Sequence, residues 1–286
     1  MNTILITGIN GFLGSNLALK LKPDYNIVGL ANSLNNLYRL PENPFKVYSS
    51  EVDKKVIFQE NEIYAVIHAA TVYRRNDDPI DRVIKTNVLL PAELYNLANK
   101  YGTKLFLNTD SFFNNPKFDY KYLVDYTLSK KQAIEWLRVM QDRCHVINMK
   151  IYHMYGKNDA PDKFIPKLLS DIRNNTPIIN LTPGEQRRDF VYVEDIVSAY
   201  KIVLQKSDAL KPGFIEFQLG TGTSSSIKEL ALSMREVTNS RTELKFGVLP
   251  YRENEIMNSV SDNRDLIELG WEPKFDLKNG LMDLLR

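Results

Sequence analysis

The chain is 286 residues long, 43% hydrophobic and 25% charged, which is apolar material for one large core or two modest ones. A formal net charge of +2 leaves no basic footprint for nucleic acid, and no apolar run approaches the roughly 18 residues of a membrane span. The single cysteine, Cys144, excludes an internal disulfide, and the first residues enter a strand pattern instead of a basic leader, so a cytoplasmic location is expected.

Taken in chain order, Ile4-Leu5-Ile6-Thr7 is an apolar run that reads as a buried strand over 3–7 and breaks at Gly8. Gly8, Gly11 and Gly14 follow as a helical pattern begins at Phe12, Leu13, Leu17 and Leu21. Such glycines permit a tight strand-to-helix turn, close approach of backbone to a phosphate, and close packing of helix on strand. The helix N-terminus beyond them offers free N–H groups and a positive dipole end to a pyrophosphate. Further strands are predicted at 26–30, 64–69, 104–108 and 146–151, with helical patterns near 12–22, 52–60, 80–101 and 126–142. That alternation predicts an α/β fold with a doubly wound parallel sheet. Pro91 contradicts the otherwise regular helical spacing of 80–101, as either a kink or a break.

From about residue 156 prolines become frequent and the segments irregular, which suggests a smaller second region. Phe190 to Asp195, followed by Ile196, Ala199, Ile202 and Val203, reads as a strand entering a helix. The expected division is a nucleotide-binding domain over 1–155, to which 188–206 returns, and an interleaved second region over 156–286.

Two clusters carry chemistry. Tyr126 and Lys130 are four residues apart on one helix face, where an ammonium would lower the phenol's pKa and make it a proton donor or acceptor. Asn108-Thr109-Asp110-Ser111 arrives at the carboxyl end of a strand, where ligand crevices of open α/β sheets lie. The three histidines and Cys144 show no metal-ligand spacing, so no metal is expected, and no Gly-x-Ser-x-Gly elbow appears. Arg74-Arg75 could touch a phosphate, though a solvated pair is the simpler reading.

These motifs, in order Thr7-Gly8-x-x-Gly11-Phe12-Leu13-Gly14, His68-Ala69-Ala70, Asn87, Thr109, Tyr126-x-x-x-Lys130, Tyr155-Gly156, Arg188 to Asp195, Leu219 to Gly222 and Leu269 to Pro273, resemble the extended short-chain dehydrogenase/reductases. More narrowly they resemble the NAD(P)-dependent sugar-nucleotide epimerases, dehydratases and reductases, over nearly the whole chain. The resemblance implies a Rossmann-type sheet with a C-terminal substrate-binding region. It implies that Tyr126 gives a proton to a carbonyl oxygen, that Lys130 holds the nicotinamide ribose, and that Thr109 hydrogen-bonds the reacting oxygen. Phe12 and Leu13 would meet the cofactor diphosphate, and Ala69, Ala70 and Thr71 through Tyr73, with Asn87 and Tyr152, would line the cofactor. Asp110, Ser111, His153 and Phe164 would face the substrate, whose diphosphate Arg188 and Arg252 would grip with guanidinium forks. Family members often form homodimers through helices equivalent to 80–101 and 126–142.

Departures from the family pattern refine the expectation. NAD-binding members usually end the second strand in an acid, but here Ala31-Asn32-Ser33 follows, so Asn32, Ser33 and Arg39 would suit a 2′-phosphate and NADP(H) is preferred over NAD(H). Dehydratases carry an Asp-Glu pair after the catalytic Thr, whereas Asp110 is followed by Ser111, which disfavours water elimination. Lys150 and His153 stand where Arg and Asn are usual. The implied activity is NADPH-dependent reduction of the 4-keto group of a nucleotide-linked 4-keto-6-deoxyhexose for deoxysugar or O-antigen biosynthesis. CDP-4-keto-3,6-dideoxyglucose and a dTDP-4-keto-6-deoxyhexose are the substrates in view. The alternatives are an NDP-sugar 4-epimerase with tightly bound NAD and a non-catalytic dinucleotide-binding scaffold.

Overall fold

The computed structural model describes residues 1–35, 37–40, 44–74, 79–116 and 123–286. Runs of β-branched and aliphatic residues form the strands of a central parallel sheet: β1 (Thr3–Thr7), β2 (Asn26–Ala31), β3 (Lys46–Ser49), β4 (Ile63–His68), β5 (Leu105–Ser111), β6 (His145–Ile151) and β7 (Phe214–Leu219). Their order is β7-β6-β5-β4-β1-β2-β3. Leu5 pairs with Val28 on one side and Val66 on the other, and Val66 pairs with Phe106. Strands covered on both faces read as continuous apolar runs, which is why β1, β4 and β5 were predictable. The edge strand β3 and the alternating Phe-Ile-Glu-Phe-Gln-Leu of β7 carry weaker signals, and the sequence reading placed no strand there.

Helices α1 (Phe12–Leu21), α2 (Lys54–Glu60), α3 (Ile80–Ile84), α4 (Leu90–Lys100) and α5 (Val124–Val139) flank the sheet. One core cluster joins Leu5, Val28 and Phe106 from the strands to Leu94, Tyr95 and Leu137 from the helices. The predicted helix 80–101 is three pieces, because a π-helical turn spans Lys85–Leu89 between α3 and α4. Its mark is the N–H of Leu90 donating to the carbonyl of Lys85, five residues back. The wider turn answers Pro91, which has no N–H for the carbonyl of Asn87 and whose ring would strike it in a straight α-helix. Pro91 then sits harmlessly in the first turn of α4. It neither breaks the helix nor simply kinks it.

The chain divides into two compact units. One comprises Met1–Asn115, the stretch from α5 to Lys150, and Tyr200–Phe217; the other includes Ile151–Ala199 and Gln218–Arg286. In the second, a core of Tyr155, Leu168, Ile172, Phe190, Tyr192, Leu230 and Met234 is built from helices Phe164–Arg173 and Ile227–Thr238 and short strands His153–Tyr155 and Phe190–Tyr192. The latter two strands pair in parallel. Helix Ile227–Thr238 starts with a full capping box, Ser226 and Glu229 each bonding the other's backbone N–H. Among the described residues no helix is long and apolar enough to cross a membrane.

Candidate active site

In the first unit the glycine-rich turn folds tightly on itself. Gly8 has φ +64° and its N–H donates to the carbonyl of Leu30 at 2.8 Å, while Gly11 N–H donates to the carbonyl of Gly8 at 2.7 Å. A Cβ on Gly8 would lie 2.8 Å from Ala70 Cα, so the turn is pressed against Ala69 and Ala70 at the end of β4. Arg39 reaches the same turn: its guanidinium donates to the carbonyl of Asn10 at 3.2 Å and its backbone N–H to Asn10 Oδ1 at 3.1 Å. Asn32 and Ser33 follow β2 in exposed positions. Below them Thr7 Oγ1 accepts the N–H of Ala70 at 3.1 Å and lies 3.0 Å from Nδ1 of His68. Complete burial drives the His68 pKa down to about 3, so the imidazole is neutral.

Asn87, buried within the π-helical turn, clamps the segment after β4. Its amide accepts the N–H of Val72 at 2.8 Å, donates to the carbonyl of Val72 at 2.9 Å, and donates to Ser129 Oγ at 3.0 Å. Ser129 in turn bonds the carbonyl of Tyr126 at 2.8 Å. The turn that accommodates Pro91 therefore presents the side chain that ties the Ala69–Arg74 segment to α5. Arg74 adds an ion pair with Asp125 at 3.0 Å, and Arg75 lies outside the described residues.

Tyr126 and Lys130 share the buried face of α5, as their spacing requires. Lys130 Nζ donates to the carbonyl of Thr109 at 2.8 Å and stands 5.9 Å from the centre of the Tyr126 ring. Burial lowers the Lys130 pKa to about 8. The expected lowering of the Tyr126 pKa is not what the surroundings impose. Burial, then the neighbouring Tyr73, then Asp110 hold the phenol well above its ordinary value. Lysine is committed to a carbonyl, and the phenol stays protonated at neutral pH.

The hydroxyls at the end of β5 divide differently from the sequence expectation. Thr109 Oγ1 lies 2.8 Å from the hydroxyl of Tyr200, and Ser111 is the hydroxyl of this group whose influence reaches the Tyr126 phenol. Asp110 is buried, and its Oδ2 accepts from Asn148 at 3.1 Å. The same amide nitrogen donates to Glu216 at 2.9 Å, and Lys150 donates to Glu216 at 2.6 Å. Burial pushes Asp110 up to about 6 despite these donors and the nearby Lys150 and Lys130. This network across β5, β6 and β7 was not foreseen. Its trace in the sequence is a set of polar residues, Asn148, Lys150 and Glu216, inside largely apolar strands.

The second unit holds the remaining residues. Arg188 is nearly buried, donating to Glu255 at 2.5 Å and to the carbonyls of Arg187 and Ile256. Asp189 beside it accepts five hydrogen bonds, from Thr221 N and Oγ1, Gly222 N, and Ser261 N and Oγ, and so fixes the loops around Arg188. His153 sits edge-on to Phe190, and burial, reinforced by Arg188, keeps its pKa well below the usual imidazole range. Tyr152 is buried with its hydroxyl on Gln218 at 2.7 Å. Arg252 and Phe164 are exposed.

Residues 4–220 match the pattern of the NAD dependent epimerase/dehydratase family. The chain belongs to that family. Among its relatives is the CDP-abequose synthase of Salmonella typhimurium, 32% identical over 292 residues that cover 99% of this chain and 97% of the synthase. In fold, this family member resembles the UDP-glucose 4-epimerase of Thermotoga maritima solved with UDP-glucose, with a TM-score of 0.82 at 23% identity over 99% of this chain and 97% of the epimerase. It also resembles MoeE5, solved with UDP-glucose and NAD, with a TM-score of 0.82 at 21% identity over 99% and 97% of the two chains. The family is thus an enzyme family of nucleotide-sugar chemistry on a Rossmann-like sheet, as the motifs implied.

One consequence concerns pH. Because the Lys130 pKa is depressed, its ammonium is lost as pH rises through about 8, well before an ordinary lysine titrates. The pH profile of kcat/KM is expected to fall about tenfold per unit above that point. Rates that stay flat to about pH 10 would show that the ammonium is not needed.

Proposed function

We propose that this family member reduces the 4-keto group of a nucleotide-linked 4-keto-6-deoxyhexose with hydride from NADPH. The observation that carries the reading is the buried pair Tyr126 and Lys130 on one face of α5, with the phenol kept neutral by burial. A protonated donor suits delivery of a proton to a carbonyl oxygen as hydride reaches its carbon. Water elimination needs a base beside the catalytic hydroxyl, and Ser111 supplies none. The likeness to CDP-abequose synthase favours a CDP-linked 3,6-dideoxy sugar and a place in deoxysugar or O-antigen biosynthesis.

The roles follow from position. The Gly8–Gly14 turn and the N-terminus of α1, with Phe12 and Leu13, would hold the cofactor diphosphate. NADPH when bound supplies the hydride. The family residues fit it: a Cβ at Gly8, Gly11 or Gly14 would collide with neighbouring backbone, as a backbone cradle requires. Lys130 orients the nicotinamide ribose, and Thr109 or Ser111 hydrogen-bonds the reacting oxygen. Arg188 and Arg252 would bind the nucleotide diphosphate. Exposed Ile80, Ile84, Leu89, Val124, Leu128, Trp136 and Val139 on the α3–α5 region suit a homodimer.

The preference for NADPH rests on Arg39, whose guanidinium lies against the turn at Asn10, and on the absence of an acid at the end of β2. Arg39→Ala is expected to raise the Kd for NADPH about tenfold and leave that for NADH unchanged, as read by nicotinamide fluorescence. Equal losses for both cofactors would remove Arg39 from the 2′-phosphate. The activity itself is tested by offering CDP- and dTDP-4-keto-6-deoxyglucose and CDP-4-keto-3,6-dideoxyglucose with NADPH. Consumption with one of them supports the reading and identifies the nucleotide. An enzyme that copurifies with NAD and consumes no NADPH is instead an epimerase.

A further inference from the structure

The ring of Tyr73 lies on the ring of Tyr126, with centroids 4.4 Å apart and planes 25° from parallel. The Tyr73 hydroxyl also acts on the Tyr126 phenol electrostatically, favouring its neutral form. Tyr73 is held there from both sides. Asn87 clamps Val72 through both its backbone groups, and Arg74 is ion-paired with Asp125, the residue before Tyr126. Phe113 meets the same Tyr126 ring edge-on at 6.4 Å. Tyr126 is 5% exposed, whereas Tyr73 is half-buried.

We propose that Tyr73 is a positioning residue for Tyr126, stacking on its ring and setting its hydroxyl beside it, so that the donor phenol is correctly turned for each catalytic cycle. The inference rests on the reading of Tyr126 as the proton donor. Its chemistry balances: Tyr126 gives its proton to the carbonyl oxygen of the substrate, and solvent reprotonates the Tyr126 phenolate. A stack of this kind also fixes ring orientation beyond what burial alone provides. The other groups facing Tyr126 are Ser111 and Asp110 from β5 and Lys130 from its own helix. Asp110 acts in the same direction as Tyr73, favouring the neutral phenol, whereas Ser111 favours the phenolate.

The test compares Tyr73→Phe, which keeps the stacked ring and removes only the hydroxyl, with Tyr73→Ala, which removes both. In Tyr73→Phe, kcat for NADPH-dependent reduction is expected to fall about tenfold with KM for the nucleotide sugar unchanged. Tyr73→Ala is expected to fall further. NMR of protein carrying Cζ-labelled tyrosine follows the phenol directly, with Tyr126→Phe identifying its resonance. In Tyr73→Phe that resonance is expected to shift, and its alkaline ionisation to begin at lower pH than in the wild type. A Tyr73→Phe enzyme with wild-type kcat and an unmoved Tyr126 resonance would overturn the proposal, even if Tyr73→Ala were impaired. The NMR needs no substrate. A moved resonance in a protein that reduces no keto sugar would therefore count against the reductase reading and leave the Tyr73–Tyr126 pair standing.

Discussion

Replacing Tyr126 with phenylalanine is expected to lower kcat about a thousandfold while NADPH still binds with near wild-type affinity. The substitution keeps the ring that stacks on Tyr73 and meets Phe113, so packing around the site survives. What disappears is the buried phenol hydroxyl itself. Without it the alkoxide formed by hydride transfer has no proton donor at hand. Cofactor contacts assigned to the Gly8–Gly14 turn, Arg39 and Lys130 are untouched, so KM and cofactor Kd change little. Steady-state kinetics with a fluorescence titration of NADPH checks both halves. A variant within a few fold of wild type would remove Tyr126 from the chemistry.

Gly14→Ala is expected to abolish measurable NADPH binding and to lower the unfolding free energy by about 2–3 kcal/mol. A Cβ at residue 14 would fall inside the van der Waals surface of the Gly8 carbonyl oxygen, 2.8 Å from its carbon and 3.0 Å from Ile9 Cα. None of these atoms belongs to a flexible side chain. The Gly8 carbonyl also accepts the N–H of Gly11, so the whole turn must shift if the methyl is to fit. That shift displaces the N–H groups of Phe12 and Leu13 from any phosphate. Urea unfolding and NADPH titration of the variant test the claim together. An unchanged urea midpoint with intact binding would show that the turn yields more easily than this packing implies.

The sheet was legible because its central strands are buried on both faces, and Ile4–Thr7, Ala65–Ile67 and Leu105–Leu107 advertise that as apolar runs. The site was legible where residues close in sequence share an element, as Tyr126 and Lys130 do on α5 and the glycines do in one turn. Contacts across long sequence separations were not. Thr109 meets Tyr200 from 91 residues away, and Asn148 bridges Asp110 to Glu216 across 38 and 68 residues. No periodicity encodes such pairs. Pro91 was visible as a conflict, but its resolution as a π-helical turn that aims Asn87 at Val72 depends on what packs beside it. The direction of the Tyr126 pKa failed for a similar reason: helix spacing brings Lys130 near, while burial and the Tyr73 and Asp110 side chains, invisible to that spacing, decide the outcome.

The central claim is net hydride transfer from NADPH to C4 of a nucleotide-linked keto sugar. It is tested by supplying NADPH deuterated at the transferable position with CDP-4-keto-3,6-dideoxyglucose and, in parallel, the two 4-keto-6-deoxyglucose nucleotides. One equivalent of NADPH consumed per product, with the deuterium at C4, is the predicted result. No NADPH consumed, with C4-inverted sugar formed by a protein that holds its own NAD, would contradict it.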